Sequence, residues 1–477
     1  MTNLKYTPDE PIAAIATALA PAALGIVRCS GKNCIELLSK IFSRPKALLE
    51  AKGNSIVYGW IQKEERIDEV LVSVFRSPKS FTGEDMAEIS CHGGVHVVQT
   101  IYNLLLKNGF RAAERGEFTF RSYINGKADL TKAEAVREII DSKTDESQSR
   151  AAGRLAGNLY ETIDGVKKHI IDTLAAIEVE IEYPEDEETI ADSFDSAELK
   201  KAEKVLVELS ESWKSEKIYQ DGARVVLCGK TNAGKSSLFN ALLKEDRAIV
   251  SDIEGTTRDF IESWIDFSGI PARIFDTAGL RETEDKIEAV GVERTKDLSK
   301  EADLILYLVD SKAGLTQEDE EFIKSHCEDG TPDSHSLSRN DKKSVPLILV
   351  WNKCDLGEEF LRQAPNDRLP SLNIPQVRIA AKKGIGLGKL SEAVKNALSV
   401  SKSTESRGTG LGSERQKLAV ERALESVRHA LSLSEDFALD AVVQDLEDSL
   451  DALGEITGDV TPEDILGSIF ANFCVGK

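Results

Sequence analysis

The chain has 477 residues, enough for about three domains of about 150 residues each. Hydrophobic residues make up 41% of it, its net charge is −22 and its pI is near 4.9. That acidity excludes a general nucleic-acid coat, which would be basic, but leaves room for an RNA client met through a local patch or a partner protein. No run of 18 apolar residues exists, so no helical membrane span is expected, and the first residues lack the basic stretch of a signal peptide. Seven cysteines, odd in number and never in a CxxC pair, fit reduced thiols of a cytoplasmic protein better than disulfides or a zinc site.

Short β-like runs at residues 12–17, 26–29 and 70–75, with a helix near 95–107, predict an α+β domain over residues 1–122. From Ala133 the pattern turns helical. Ile163, Val166, Ile170, Leu174, Ile177 and Ile181 recur at spacings of three and four, the stripe of a core-facing helix. The acidic stretch 178–188 breaks at Pro184, and another helix is predicted over 196–213. From Ala223, apolar runs at 224–228, 271–275, 304–309, 346–351 and 377–380 alternate with helical segments, which predicts a mainly parallel sheet covered on both faces. Residues 329–344 read as a polar surface insertion and 401–413 as a Ser/Gly-rich linker. Helical spacing then returns with Leu424, Val427 and Leu431, and again with Val442, Leu446, Leu450 and Leu453. Neither helical block has much face to bury alone. The expected architecture is therefore multidomain: the α+β N-terminal domain, one discontinuous all-α domain made of 123–220 and 401–477, and an inserted α/β domain over 221–400.

The chemistry is concentrated in that insert. Gly229-Lys-Thr-Asn232-Ala233-Gly234-Lys235-Ser236 fits GxxxxGK[ST], follows an apolar strand and opens an apolar helix, the context that a phosphate-binding loop requires. Its glycines let backbone N–H groups approach phosphates, and the helix N-terminus adds positive dipole. Lys235 is expected on the β/γ-phosphates and Ser236 on Mg²⁺, with Ser237 beside them. Gly255-Thr256-Thr257 supplies a switch threonine, Thr257, as second Mg²⁺ ligand, with Ser251 on the same segment. Asp276-Thr277-Ala278-Gly279 ends a strand; Asp276 would hold the Mg²⁺ hydration shell and Gly279 the γ-phosphate. Asn352-Lys353-Cys354-Asp355 ends another. The Asp355 carboxylate can accept both N–H groups of guanine's Watson–Crick edge, which makes the substrate GTP rather than ATP. Ala380-Ala381-Lys382 stands where a Ser-Ala-Lys loop is usual; the serine is absent, but the usual contact comes from backbone. Where Ras-like enzymes carry a water-orienting glutamine, this chain has Leu280. Another group must take that role, and Arg281, Glu282 and Glu288 are the nearby candidates.

Segments outside the insert resemble the MnmE (TrmE) family of tRNA-modification GTPases along almost the whole chain. They are Ile12-Ala-Ala-Ile-Ala-Thr17, Gly25-Ile-Val-Arg28, Ser80-Phe-Thr-Gly-Glu-Asp85, Cys91-His-Gly-Gly94, Gly116-Glu-Phe-Thr119, Asn125-Gly-Lys-Ala-Asp-Leu130, Leu453-Gly-Glu-Ile-Thr-Gly458 and Phe473-Cys-Val-Gly-Lys477. The resemblance implies an N-terminal domain that forms a homodimer and binds a tetrahydrofolate one-carbon donor, in 5,10-methylene or formyl form. It implies a flavoprotein partner, MnmG, in a heterotetramer or larger complex, and a tRNA client whose wobble uridine is modified at C5 with a carboxymethylaminomethyl-type or aminomethyl group. By position Arg28, Glu88, Lys127 and Lys477 are the implied folate contacts. The family also implies a K⁺ ion held by Asn232, Ser251, Ile253 and Thr256, and a water-orienting glutamate at Glu288, so the catalytic set becomes Glu288, Lys235 and Asp276. Cys474 is either a functional thiol or a packing residue.

Two departures stand out. The family's Gly-rich turn after the first strand is residues 18–23 here, without glycine, and a His usual near the start of the last helical block is Gln416. A switch-type ribosome-assembly or signalling GTPase, and a scaffold with a degenerate nucleotide site, are the competing readings. The folate-type segments argue against the first. The complete Lys235, Ser236, Thr257, Asp276 and Asp355 set argues against the second.

Overall fold

The computed structural model describes residues 10–182, 196–244, 262–276, 302–327, 345–355, 374–398, 408–433, 439–460, 463–471 and 473–476. The chain divides into two compact units. One gathers Met1–Arg137, Arg154–Val207 and Glu414–Lys477; the other gathers Glu138–Gly153 and Glu208–Ser413.

The N-terminal part of the first unit is built on β1 (Ile12–Ile15), β2 (Leu24–Ser30), β3 (Ser55–Gln62), β4 (Arg66–Phe75), β5 (Met86–His92) and β6 (Arg111–Ala112), in the order β3-β4-β5-β2-β1-β6. All neighbours are antiparallel except β1 and β6. Between strands lie α1 (Cys34–Ser39), α2 (Pro45–Leu49) and α3 (Val95–Lys107). Side chains alternate across a sheet. Val57, Val70, Val72, Val74, Ile89 and Val27 therefore share one face, and they form a core with Ile35 and Leu38 of α1 and Ile101 and Leu105 of α3. Each such burial contributes about 1.5–3 kcal/mol. The opposite face carries Arg28 and Glu88, paired in register across β2 and β5, and the exposed Ile56, Tyr58 and Leu71.

The helices that follow are α4 (Glu117–Ile124), α5 (Leu130–Asp141), α6 (Asp145–Ala156), α7 (Asn158–Glu182) and α8 (Ser196–Asp221). On α7 the expected stripe is buried at Ile163, Val166, Ile170 and Ile177. Leu174 is only half-buried; Thr173 takes the inward position, its hydroxyl donating to the His169 carbonyl. Pro184 lies outside the described residues.

The second unit carries β7 (Ala223–Gly229), α9 (Lys235–Lys244), β8 (Glu262–Phe267), β9 (Ile270–Asp276), β10 (Leu304–Asp310), α10 (Gln317–Cys327), β11 (Leu347–Asn352), β12 (Gln376–Arg378) and α11 (Leu387–Leu398). Its sheet runs β12-β11-β10-β7-β9-β8 and is parallel apart from β8, which turns back on β9. Residues on the two faces fall into separate cores, as a sheet covered on both sides requires. The expected linker is only partly a linker. Residues 401–407 lie outside the described ones, but Leu411 is fully buried and its N–H donates to Ser212 Oγ. A polar composition hid that anchor.

The last helices, α12 (Glu414–Leu433), α13 (Leu439–Thr457) and α14 (Glu463–Ala471), return to the first unit. α13 packs on both α12 and α7, so the two helical blocks do join across the inserted α/β fold. Gln416, where a His was expected, is fully buried and donates to Glu134 Oε2, the carboxylate oxygen that also receives Arg415. Phe470 and Phe473 pack with Phe120 of α4.

Candidate functional site

The loop from Gly229 to Ser236 joins β7 to α9. Three of its residues hold positive φ: Gly229 at 128°, Asn232 at 68° and Gly234 at 100°. The two glycines are required sterically. A Cβ at Gly229 would meet the Leu308 carbonyl oxygen at 2.3 Å, and one at Gly234 would meet Asn352 Nδ2 at 2.1 Å. Lys235 donates from Nζ to the Gly229 and Lys230 carbonyls at 2.7 and 3.0 Å, so its ammonium lies over the loop. Ser236 is exposed and Ser237 half-buried on the first turn of α9. Buried Ala233 closes the loop against the core.

Asn352 ties this loop to two others. It is 2% exposed. Its Nδ2 donates to the Ala233 carbonyl at 2.9 Å, while its Oδ1 accepts the N–H groups of Lys353 at 2.8 Å and Ala381 at 3.1 Å. The segment over 380–382 is held at the same point through Ala381, and Ala380 pairs with Ile385; the missing serine leaves this backbone contact intact. Asp355 accepts Lys383 Nζ at 3.0 Å, and that hydrogen bond holds its carboxyl below the usual carboxylate range. It is ionised at neutral pH. Asp276 ends β9, opposite Leu227 of β7. Ser251, Ile253, Thr256, Thr257, Thr277, Ala278, Gly279, Leu280, Arg281, Glu282, Glu288 and Lys477 lie outside the described residues. Among the described residues no cluster of His, Cys, Asp or Glu could hold a metal ion.

A second polar centre sits on the open face of the N-terminal sheet. Arg28 Nη2 donates to Glu88 Oε1 at 2.5 Å and Nη1 to the Gly476 carbonyl at 3.1 Å. Its guanidinium lies 5.4 Å from the Phe118 ring and 5.9 Å from the Phe81 ring. Arg28 Nε is buried without a hydrogen-bond partner among the described residues. An unsatisfied donor of that kind costs about 1–3 kcal/mol. Lys127 is exposed, its stem close to Gly83. The glycine-free turn at 18–23 is closed by the hydrogen bonds of Ala22 and Ala23 with Gly93. Gly93 supplies the room for that close approach: a Cβ there would meet the Ala22 carbonyl oxygen at 2.4 Å. Of the cysteines, Cys91 and Cys228 are pushed up to about 11 and about 12 by burial; Cys474 is exposed, and its carbonyl accepts the Gly116 N–H.

Comparison with known proteins places this geometry. The family model for the TrmE N-terminus, described as a GTP-binding protein, matches residues 11–127, and the MnmE helical domain model matches residues 130–474. A tRNA modification GTPase MnmE of Treponema denticola is 52% identical over 99% of both chains. The chain belongs to the MnmE family of tRNA modification GTPases. The MnmE proteins of Treponema pallidum and Desulforamulus reducens are 42% and 41% identical, over 99% and 98% of this chain and 99% and 100% of theirs.

Within this MnmE-family chain, the motifs around Gly234, Asn352 and Ala381 converge on one point, and Arg28 meets Glu88 on another. Sequence reasoning missed Asp310, which binds Lys353, and the network that fixes the segment 80–85. There Glu84 accepts from the fully buried Arg121 and from Ser30, and Asp85 accepts from Arg76. The run of acidic residues in Ser80-Phe-Thr-Gly-Glu-Asp85 was the available signal, since buried carboxylates need cationic partners. No helix of the described residues is long and apolar enough to cross a membrane.

Proposed function

We propose that this chain hydrolyses GTP at the 229–236 loop and uses that cycle in tRNA wobble-uridine modification with the flavoprotein MnmG, as a cytoplasmic homodimer. The observation that carries the nucleotide part is Asn352, which joins the phosphate loop, the guanine-reading segment and Ala381 through three hydrogen bonds. Lys235 moves from the loop carbonyls to the β/γ-phosphates, Asp276 supports the hydration shell, Gly279 receives the γ-phosphate, and Glu288 orients the attacking water. Thr277 and Ala278 complete that loop, and Asp355 and Lys382 frame the base. Ser236 and Thr257 suit Mg²⁺, and Asn232 with Ser251, Ile253 and Thr256 suit K⁺; bound there, the cations offset charge developing on the phosphates.

The domain reading is 1–122, 123–220 with 401–477, and 221–400. In its first domain, Arg28, Glu88, Lys127 and Lys477 bind the tetrahydrofolate derivative. The orphaned Arg28 Nε supports a ligand acceptor at that place. GTP chemistry and base chemistry then occupy different domains, and closure of paired G domains gates the modification.

The test is mass spectrometry of tRNA nucleosides from cells lacking the protein. Loss of the C5 aminomethyl-type groups, restored by the intact gene and not by Asp276→Ala, is expected. Unchanged wobble uridine would sink the tRNA role and favour a ribosome-assembly client. Purified protein should hydrolyse GTP in KCl and little in NaCl; equal rates would remove the potassium role.

A further inference from the structure

Asp310 ends β10, opposite Asn352 of β11 in register, and belongs to none of the nucleotide motifs. Its Oδ2 accepts Lys353 Nζ at 2.7 Å, and its Oδ1 accepts the Lys312 N–H at 2.9 Å. Both carboxylate oxygens are thus fixed. Burial works against the ionised form, but the hydrogen bonds from Lys353, Lys312 and Ala313 outweigh it and hold the carboxyl below its ordinary range. The same Lys353 ammonium also donates to the Asn232 carbonyl at 2.8 Å. Asn232 and Lys353 are both non-glycine residues at positive φ, 68° and 62°. Such backbone persists only where its surroundings hold it.

We propose that Asp310 is a positioning residue for nucleotide binding: it fixes the Lys353 ammonium on the Asn232 carbonyl and so locks the guanine loop to the phosphate loop. The inference rests on the reading that this site binds guanine nucleotide. Lysine is a strongly hydrated charge on a flexible stem. Without the carboxylate its ammonium returns to water, and the Asn232 carbonyl loses its donor. Two loops that were ordered in advance must then be ordered when the nucleotide arrives, which weakens binding. The pair is partly exposed, at 32% and 24%, so the effect sits at the lower end for a charged hydrogen bond.

The test uses the full chain. Asp310→Asn keeps an oxygen for the Lys312 N–H and removes only the charge that holds Lys353. Its dissociation constant for GDP should rise about tenfold, and the loss in GTP hydrolysis should fall on KM rather than kcat. In a Lys353→Met background the same substitution should add less than about twofold, because its target is gone. Asp310→Glu should recover part of the affinity. Unchanged GDP affinity in Asp310→Asn, or an equal loss with and without Lys353, would overturn the proposal. So would a fall in the unfolding temperature of the nucleotide-free chain large enough to account for the weaker binding. Failure of the unmodified protein to bind GDP would instead overturn the nucleotide reading itself.

Discussion

The nucleotide site and the Arg28 centre hold their polar groups by different means. Around Asn352 the working groups are backbone N–H and C=O, shaped by positive-φ residues at Gly229, Asn232, Gly234 and Lys353. Around Arg28 the working group is a side chain, held by an ion pair to Glu88, 60 residues away, and by a hydrogen bond to the Gly476 carbonyl, 448 residues away. A backbone site needs a particular residue at each position, because only glycine avoids the collisions at 229 and 234. A side-chain site needs only that charges meet, and many sequences satisfy that.

The largest test of this contrast is Asn352→Ala. It removes three hydrogen bonds at a buried point, each worth about 1 kcal/mol, so GDP affinity should fall about 100-fold. A titration with a fluorescent guanine nucleotide reads it directly. A change below about threefold would mean that the backbone holds the loops without the side chain. Glu88→Gln sharpens the other half. It leaves the half-buried Arg28 without its anion and should lower stability by about 1 kcal/mol, seen as an earlier thermal transition. GDP affinity should be unchanged in that variant; a parallel loss would merge the two sites into one system.

The smallest effect concerns His92, the last residue of β5 in the same N-terminal sheet. Its Nδ1 lies 2.7 Å from Asp68 Oδ1, and that hydrogen bond, with the carboxylate charge, raises its pKa above 6.5. A folded-state pKa raised in this way stabilises the fold fully below the unfolded value of about 6.5 and is lost as pH rises through the folded value. The difference in unfolding temperature between the unmodified chain and His92→Gln should therefore be present in mild acid and fade toward alkaline pH. A pH-independent difference would assign His92 a packing role alone.

The legibility of the sequence followed the same division. The phosphate loop, the guanine loop and the parallel strands could be read because each imposes its own local pattern. β3 was hidden because Ile56 and Tyr58 are apolar yet exposed, which blurs the alternation of a half-buried strand. β8 was missed although Ser268-Gly269, at φ 54° and 97°, makes the two-residue turn that joins it to β9. That turn was a usable signal. Asp310 could not be read, since its meaning depends on a lysine 43 residues further on. The buried seat of Leu411 was likewise invisible within a Ser/Gly-rich stretch.

The contact between Arg28 and the Gly476 carbonyl also sets an order of events during synthesis. The acceptor is made 448 residues after the donor, which at about 5–20 residues per second is roughly 20–90 s of translation. Glu88 emerges early and can close the strand pair meanwhile. A nascent chain stalled before residue 474 would therefore already possess its phosphate loop and guanine loop, while the Arg28 corner still awaited its last oxygen. Ribosomal stalling would thus separate the two centres in time.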